Sequence, residues 1–181
     1  MSEYTSLEKI RLAKIEGLRA EGIEPFPHRA ERTHTSAQAI AAFEKADRVG
    51  AAQKDAGQAA PAEVKATLVG RLRAVRRMGK VTFAHIEDGD GRIQLFLRAN
   101  DLGEDKLDFF NRIFDLGDFI QTTGFIFRTR TGEVTLHVQD FKMLAKAVSP
   151  LPAAKDETTE DGQVIRHAAL AEAHLALAGV Q

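Results

Sequence analysis

A switch to two-residue periodicity at Val64 constrains this chain more than any other feature. From there apolar side chains recur on alternate positions: Val64, Ala66, Leu68, Leu72 and Ala74 share one side, and Lys65, Thr67, Arg71 and Arg73 the other. Side chains of an extended backbone point alternately to opposite faces, so this pattern predicts a long strand with one face buried. Gly70 interrupts it, where a bulge or sharp bend would let one strand serve two sides of a small, curved sheet. Val81 to Glu87 and Arg92 to Arg98 predict two more strands, joined by Asp88-Gly89-Asp90-Gly91, whose residue types favour a hairpin turn. Register follows from the alternation. Ala84 and Ile86 turn inward with Ile93, Leu95 and Leu97, which leaves Phe83, His85, Gln94 and Phe96 together on the opposite face.

Leu107, Phe110, Ile113 and Phe114 then make a short amphipathic helix, and Leu116-Gly117-Asp118 turns the chain into a strand from Phe119 to about Arg128. After Thr131-Gly132 a last strand, Glu133 to about Phe141, buries Val134, Leu136 and Val138 and shows Glu133, Thr135, His137 and Gln139. Upstream, Thr5 and Glu8 have capping-box spacing, and Leu7, Ile10, Ile15 and Leu18 recur at helical intervals up to Gly22. Lys9, Arg11, Lys14 and Arg19 occupy the other faces, where they read as a solvated surface. Glu24-Pro25-Phe26-Pro27 enforces an extended arm, because each proline also keeps its predecessor out of the helical region. Thr35 or Ser36 caps a second short helix with Ile40 and Phe43 inward, and Ala51 to Ala62 reads as a flexible loop. Beyond Pro152 the chain is polar and acidic, then Ala-rich from Ala168 to Ala178, a weak helix former in isolation.

These elements predict a mainly β fold with helices: strands one to three, a helix, then strands four and five, preceded by an N-terminal helical extension. That order suits a five-stranded barrel of the OB type, whose second and third strands carry the ligand face; an open α+β sandwich is the alternative. The expected division is an extension with arm and loop over 1–62, the barrel over 63–148, and a linker and tail over 149–181.

Composition excludes several chemistries. The 181 residues contain no Cys, which removes disulfides and thiolate sites, and the six His lack metal-ligand spacing, so no metal is expected. No catalytic residues stand out either. His85 and His137 have no recognisable nucleophile partner, Asp88 to Gly91 lacks the later Glu of a calcium loop, and no glycine-rich phosphate loop is present. There is no apolar run of about eighteen residues and no signal-peptide layout at the start, so a cytoplasmic protein without a membrane partner is expected. A net charge of -1 singles out no partner, and local charge has to carry that argument.

Locally, Arg71, Arg73, Arg76, Arg77 and Lys80 form a basic cluster beside the face that presents Phe83, Gln94 and Phe96. Exposed aromatic rings can stack unpaired bases, and neighbouring cations neutralise phosphates. An amide such as Gln94 both donates and accepts, whereas a carboxylate such as Glu133 only accepts, so the two together can read a base edge. Two plainer readings compete: the arm or first helix covers the rings and makes them core, or the cations are a charged sheet edge that discourages aggregation.

Several motifs stand together in one order: Leu18-Arg19-Ala20-Glu21-Gly22-Ile23, Pro25-Phe26-Pro27, His34-Thr35-Ser36, Gly70-Arg71, Arg76, Met78-Gly79-Lys80, Phe83, Gly91-Arg92-Ile93-Gln94-Leu95, Asp115-Leu116-Gly117-Asp118, Thr131-Gly132-Glu133 and Ser149-Pro150-Leu151-Pro152. In these the chain resembles the N-terminal, anticodon-binding region of bacterial class II lysyl-tRNA synthetases, over roughly Glu8 to Pro152. The resemblance implies that Phe83 stacks on an anticodon base, that Arg76 and Gln94 contact anticodon bases or their backbone, and that Glu133 reads a uracil edge. Arg71, Arg73, Arg77, Lys80, His85 and Phe96 are candidates for backbone or secondary contacts. It implies a tRNA partner through its lysine anticodon stem-loop, with a synthetase catalytic domain or a homodimer partner as further candidates. The family's ATP and magnesium would belong to a catalytic domain not found in this sequence, so no cofactor and no aminoacylation by this chain alone are expected. A general single-stranded nucleic-acid binder of the OB type is the alternative.

Overall fold

A computed structural model of the chain describes residues 4–55, 63–150, 156–158 and 164–166. It divides into two units, Met1–Ser149 and Pro150–Gln181. The first contains α1 (Ser6–Ala20), α2 (Ser36–Asp55), β1 (Lys65–Met78), β2 (Val81–Glu87), β3 (Arg92–Arg98), α3 (Ala99–Leu102), α4 (Glu104–Ile113), β4 (Phe119–Arg128) and β5 (Val134–Ala145). In the second, β6 (Asp156–Thr158) and β7 (Val164–Arg166) pair antiparallel. The Ala-rich stretch from Ala168 to Ala178 lies outside the described residues.

The five long strands close into a barrel in the order β1-β2-β3-β5-β4. β1 makes closure possible by pairing with β4 from Lys65 to Arg71 and with β2 from Arg71 to Met78, so Arg71 is the hand-over point. The bend expected at Gly70 sits slightly later, as a register shift between Leu72 and Ala74 that leaves Arg73 outside the ladder. Gly70 serves close approach instead: a Cβ there would stand 3.0 Å from the Glu87 carbonyl oxygen and from the Ile86 Cβ. Leu68, Leu72, Ala84, Ile86, Leu95, Leu97, Ile120, Leu136 and Val138 are completely buried, and full burial of each Leu, Ile or Val side chain contributes about 1.5–3 kcal/mol. Phe110, Phe114 and Phe141 join this core, with ring centroids 4.9 to 5.5 Å apart.

Ile15 and Leu18 of α1 are buried as its periodicity predicts, but Leu7 and Ile10 are 42% and 57% exposed, so the expected apolar stripe packs only from Ile15 onward. Nor do its cations simply face water. Arg11 is 5% exposed and donates to the carbonyls of Ala147 and Ser149, each at 3.1 Å, and of Leu116 at 3.2 Å. Lys14 pairs with Asp115 at 2.8 Å, and the buried Lys146 Nζ lies 2.6 Å from Asp115 and 2.7 Å from Asp118. An ammonium withdrawn from water needs such partners, and this network fastens α1 to the ends of β4 and β5.

The arm after Pro27 runs along β1 and β4. Thr33 donates its N–H to the Thr67 carbonyl at 2.9 Å, and the Glu31 N–H reaches the Gln121 side chain at 2.8 Å. α2 opens with a reciprocal cap in which the Thr35 N–H donates to Gln38 Oε1 at 2.9 Å and the Gln38 N–H to Thr35 Oγ1 at 3.3 Å. Asp88, in the β2–β3 turn, adds a second cap by accepting the Ser36 N–H at 2.7 Å. The helix is long rather than short and includes Ala51–Asp55, which read as loop; Ala, Gln and Lys are strong helix formers, and their plain composition masked that propensity. The remainder of the expected loop, 56–62, lies outside the described residues. β5 likewise runs four residues past Phe141, and the single-turn α3 was not foreseen.

Candidate nucleic-acid interface

The alternation in β2 and β3 gives the register that the structure has. Phe83 stands opposite Phe96 and His85 opposite Gln94, all pointing away from the buried Ala84, Ile86, Ile93, Leu95 and Leu97. β5 then lies parallel to β3, with Thr135 beside Gln94 and His137 beside Phe96. The result is a continuous row of rings. Phe96 lies 5.3 Å from Phe83, 5.2 Å from His137 and 5.8 Å from Phe127, in tilted or edge-on geometries. All four rings are half-buried, leaving part of each open to a stacking partner. The contacts of α1 and the arm fall elsewhere, on Leu116, Asp115, Thr67 and Gln121.

Beside the rings is a polar group with fixed roles. Glu133 follows the Thr131-Gly132 turn, where its N–H donates to Thr129 Oγ1 at 3.0 Å. Its Oε2 accepts from Gln94 Nε2 at 2.6 Å, and its Oε1 lies 3.0 Å from His85 Nε2. The other end of the amide, Gln94 Oε1, accepts from the Thr135 hydroxyl at 3.1 Å. A flipped Gln94 would set its carbonyl against the carboxylate, so the two partners fix which way the amide points. Gln94 is only 9% exposed, and Thr135, expected to be shown, is fully buried. Thr135 keeps the face the alternation gives it, but Gln94 lies over its hydroxyl. On the far side of the rings, His137 Nε2 lies 2.8 Å from Asp101, which Arg98 also holds at 2.6 and 3.0 Å. The Arg98 hydrogen bonds are the main reason that the Asp101 carboxyl is lowered to about 2; burial opposes them and His137 adds to them.

The five clustered cations separate in the fold. Arg76 stays with the aromatic face, its guanidinium 5.5 Å from the centre of the Phe83 ring. Arg71 packs over Phe119 at 4.6 Å, Arg73 faces Glu87 at 3.4 Å, Arg77 donates to the Asn111 carbonyl, and Lys80 pairs with Glu104 at 2.5 Å. Arg73 and Lys80 are thus paired with carboxylates within the chain, whereas the ring under Arg71 and the carbonyl at Arg77 leave those two charges uncompensated. A recess of about 370 Å³ next to Glu133 and Gln94 is bounded by Ile40 and Glu44 of α2 and by Arg92 and Arg128. Arg128 is tied to Asp47 at 3.3 Å, whereas Arg92 is exposed.

Sequence reasoning passed over Phe127, Arg92 and the α2 wall. Phe127 was legible, since Ile126 faces the core and its neighbours must face out; the α2 wall depends on tertiary packing. Among the described residues, no group of three or more His, Asp or Glu is placed to hold a metal ion, and no helix is long and apolar enough to cross a membrane.

A small closed barrel with rings, an amide and a carboxylate on its β2–β3 face defines a class, and comparison agrees: residues 66–144 match the tRNA anticodon family, described as an OB-fold nucleic acid binding domain. Within that class, the chain matches the N-terminal region of lysine–tRNA ligases. It is 40% identical to the lysine–tRNA ligase of Clostridium novyi over 152 residues, covering 83% of this chain and 27% of that protein. Identity is 42% over 151 residues with that of Chloroflexus aurantiacus (83% and 28%) and 39% over 142 residues with that of Thermotoga maritima (78% and 26%). The chain thus spans little more than a quarter of the length of these relatives.

Proposed function

We propose that the β2–β3–β5 face binds the anticodon loop of a tRNA in the cytoplasm and favours the uracils of a lysine anticodon. Phe83 and Phe96 stack unpaired bases, Arg76 meets the adjoining backbone or base, and Gln94 with Glu133 reads the edge of the base that settles beside them. One observation carries this reading: Glu133 and Gln94 are locked together beside half-exposed rings, with the acceptor-only carboxylate turned toward the recess. Uracil presents a donor, its N3–H, between two carbonyl acceptors. A carboxylate beside a remaining amide N–H suits that pattern, whereas cytosine would set its own N3 lone pair against the carboxylate.

Titration of two anticodon stem-loops that differ only in carrying UUU or GGG tests it. Preference for UUU by about tenfold or more is expected, because a good base-edge pair discriminates by about 1–3 kcal/mol. Glu133→Ala should remove that preference. A second reading, a general single-strand binder, draws support from the ring row itself, since stacking is indifferent to base identity. Near-equal affinity for the two stem-loops, unchanged by Glu133→Ala, would favour it.

A further inference from the structure

Both carboxylate oxygens of Glu133 have a partner inside the protein. Gln94 reaches Oε2, and Oε1 lies 3.0 Å from His85 Nε2, whose residue stands opposite Gln94 across the β2–β3 ladder. Because a carboxylate can only accept, the contact requires Nε2 to carry the proton, which assigns the tautomer of a neutral His85. Glu133 stands at the edge of a turn, with a side chain 46% exposed. The His85 side chain, 20% exposed and held on a strand, is the more firmly placed partner.

We propose that His85 is a positioning residue for base discrimination: its Nε2–H pins Oε1 so that the carboxylate plane stays toward the recess instead of swinging into solvent. Gln94 alone grips one oxygen, and a carboxylate held at one point can rotate about it. Two donors from adjacent strands remove that freedom before any base arrives, and so reduce the ordering cost of binding. Phe83 and Phe96 do not depend on this contact, so His85 separates discrimination from stacking affinity. The inference rests on the reading of Glu133 proposed above.

Three variants of the full chain, each titrated with stem-loops carrying UUU and CCC, test it. His85→Phe keeps an aromatic ring in place but removes the donor; the UUU-to-CCC preference should fall about tenfold. His85→Gln places an amide nitrogen near the former Nε2 and should retain the preference to within about twofold. Glu133→Ala should abolish it. If Glu133→Ala abolishes the preference but His85→Phe leaves it intact, or if His85→Gln loses as much as His85→Phe, the positioning role of His85 is overturned and the anticodon reading stands. If Glu133→Ala itself changes nothing, the reading and the inference fall together.

Discussion

Phe83 shows how a single side chain can be legible from sequence while its neighbours are not. Its outward direction followed from alternation alone, and the structure sets it against Phe96 at 5.3 Å with Arg76 over its ring. Phe83→Ala should therefore weaken stem-loop binding by about 1–3 kcal/mol, read by fluorescence anisotropy, regardless of which bases the loop carries. Arg11, on helix α1, is the opposite case. Nothing in its local pattern indicates three carbonyl partners more than a hundred residues away, and helical spacing placed it in solvent. Gly124 is similar: a Cβ there would come within 1.9 Å of the His137 carbonyl oxygen, a contact that exists only because β4 meets β5 at a bulge. Gly124→Ala should lower the urea midpoint markedly, as forced overpacking costs about 1–3 kcal/mol or more.

Among elements, the strands were the most legible and the helices the least. A strand's two faces are written directly in its sequence, so β2 and β3 ended where their turn residues indicated. α2 was underestimated because its second half, Ala46 to Asp55, mixes small and charged residues around Gly50, with no apolar stripe to mark a packed face. Its start depends on a residue from another element. Asp88 accepts the Ser36 N–H as well as those of Asp90 and Gly91 within its own turn, so one carboxylate orders the hairpin and caps the helix. Asp88→Ala should cost about 1–2 kcal/mol and reduce helical circular dichroism, whereas a substitution at the exposed Asp90 side chain should do neither. Since Ile40 and Glu44 wall the recess beside Glu133, the same change should also erode discrimination between stem-loops.

For the whole molecule, the connection between α1 and the barrel runs through buried charge. Burial pushes the Asp115 carboxyl up, but hydrogen bonds from Lys14 and Lys146 outweigh it and hold it below the usual range. Asp88, despite burial, is likewise lowered by the backbone N–H groups it accepts, and Asp101 reaches about 2. A carboxyl lowered in the folded state stabilises the fold fully above its unfolded value near 4, and that stabilisation is lost as pH falls through the folded value. Acid unfolding monitored by tryptophan-independent circular dichroism should therefore begin below about pH 4, and Asp101→Asn should flatten the part of the curve between about pH 4 and 2. Lys146→Ala leaves Asp118 buried without its ammonium partner, and a loss of about 3–5 kcal/mol in urea denaturation is expected. The most direct test of the central claim is to place a photoreactive 4-thiouridine at the middle anticodon position of a stem-loop and identify the peptide it crosslinks. Attachment within Val81–Glu87 or Arg92–Arg98, lost on Phe83→Ala, is the expected result; attachment confined to α1 or α4 would show that the base lies elsewhere.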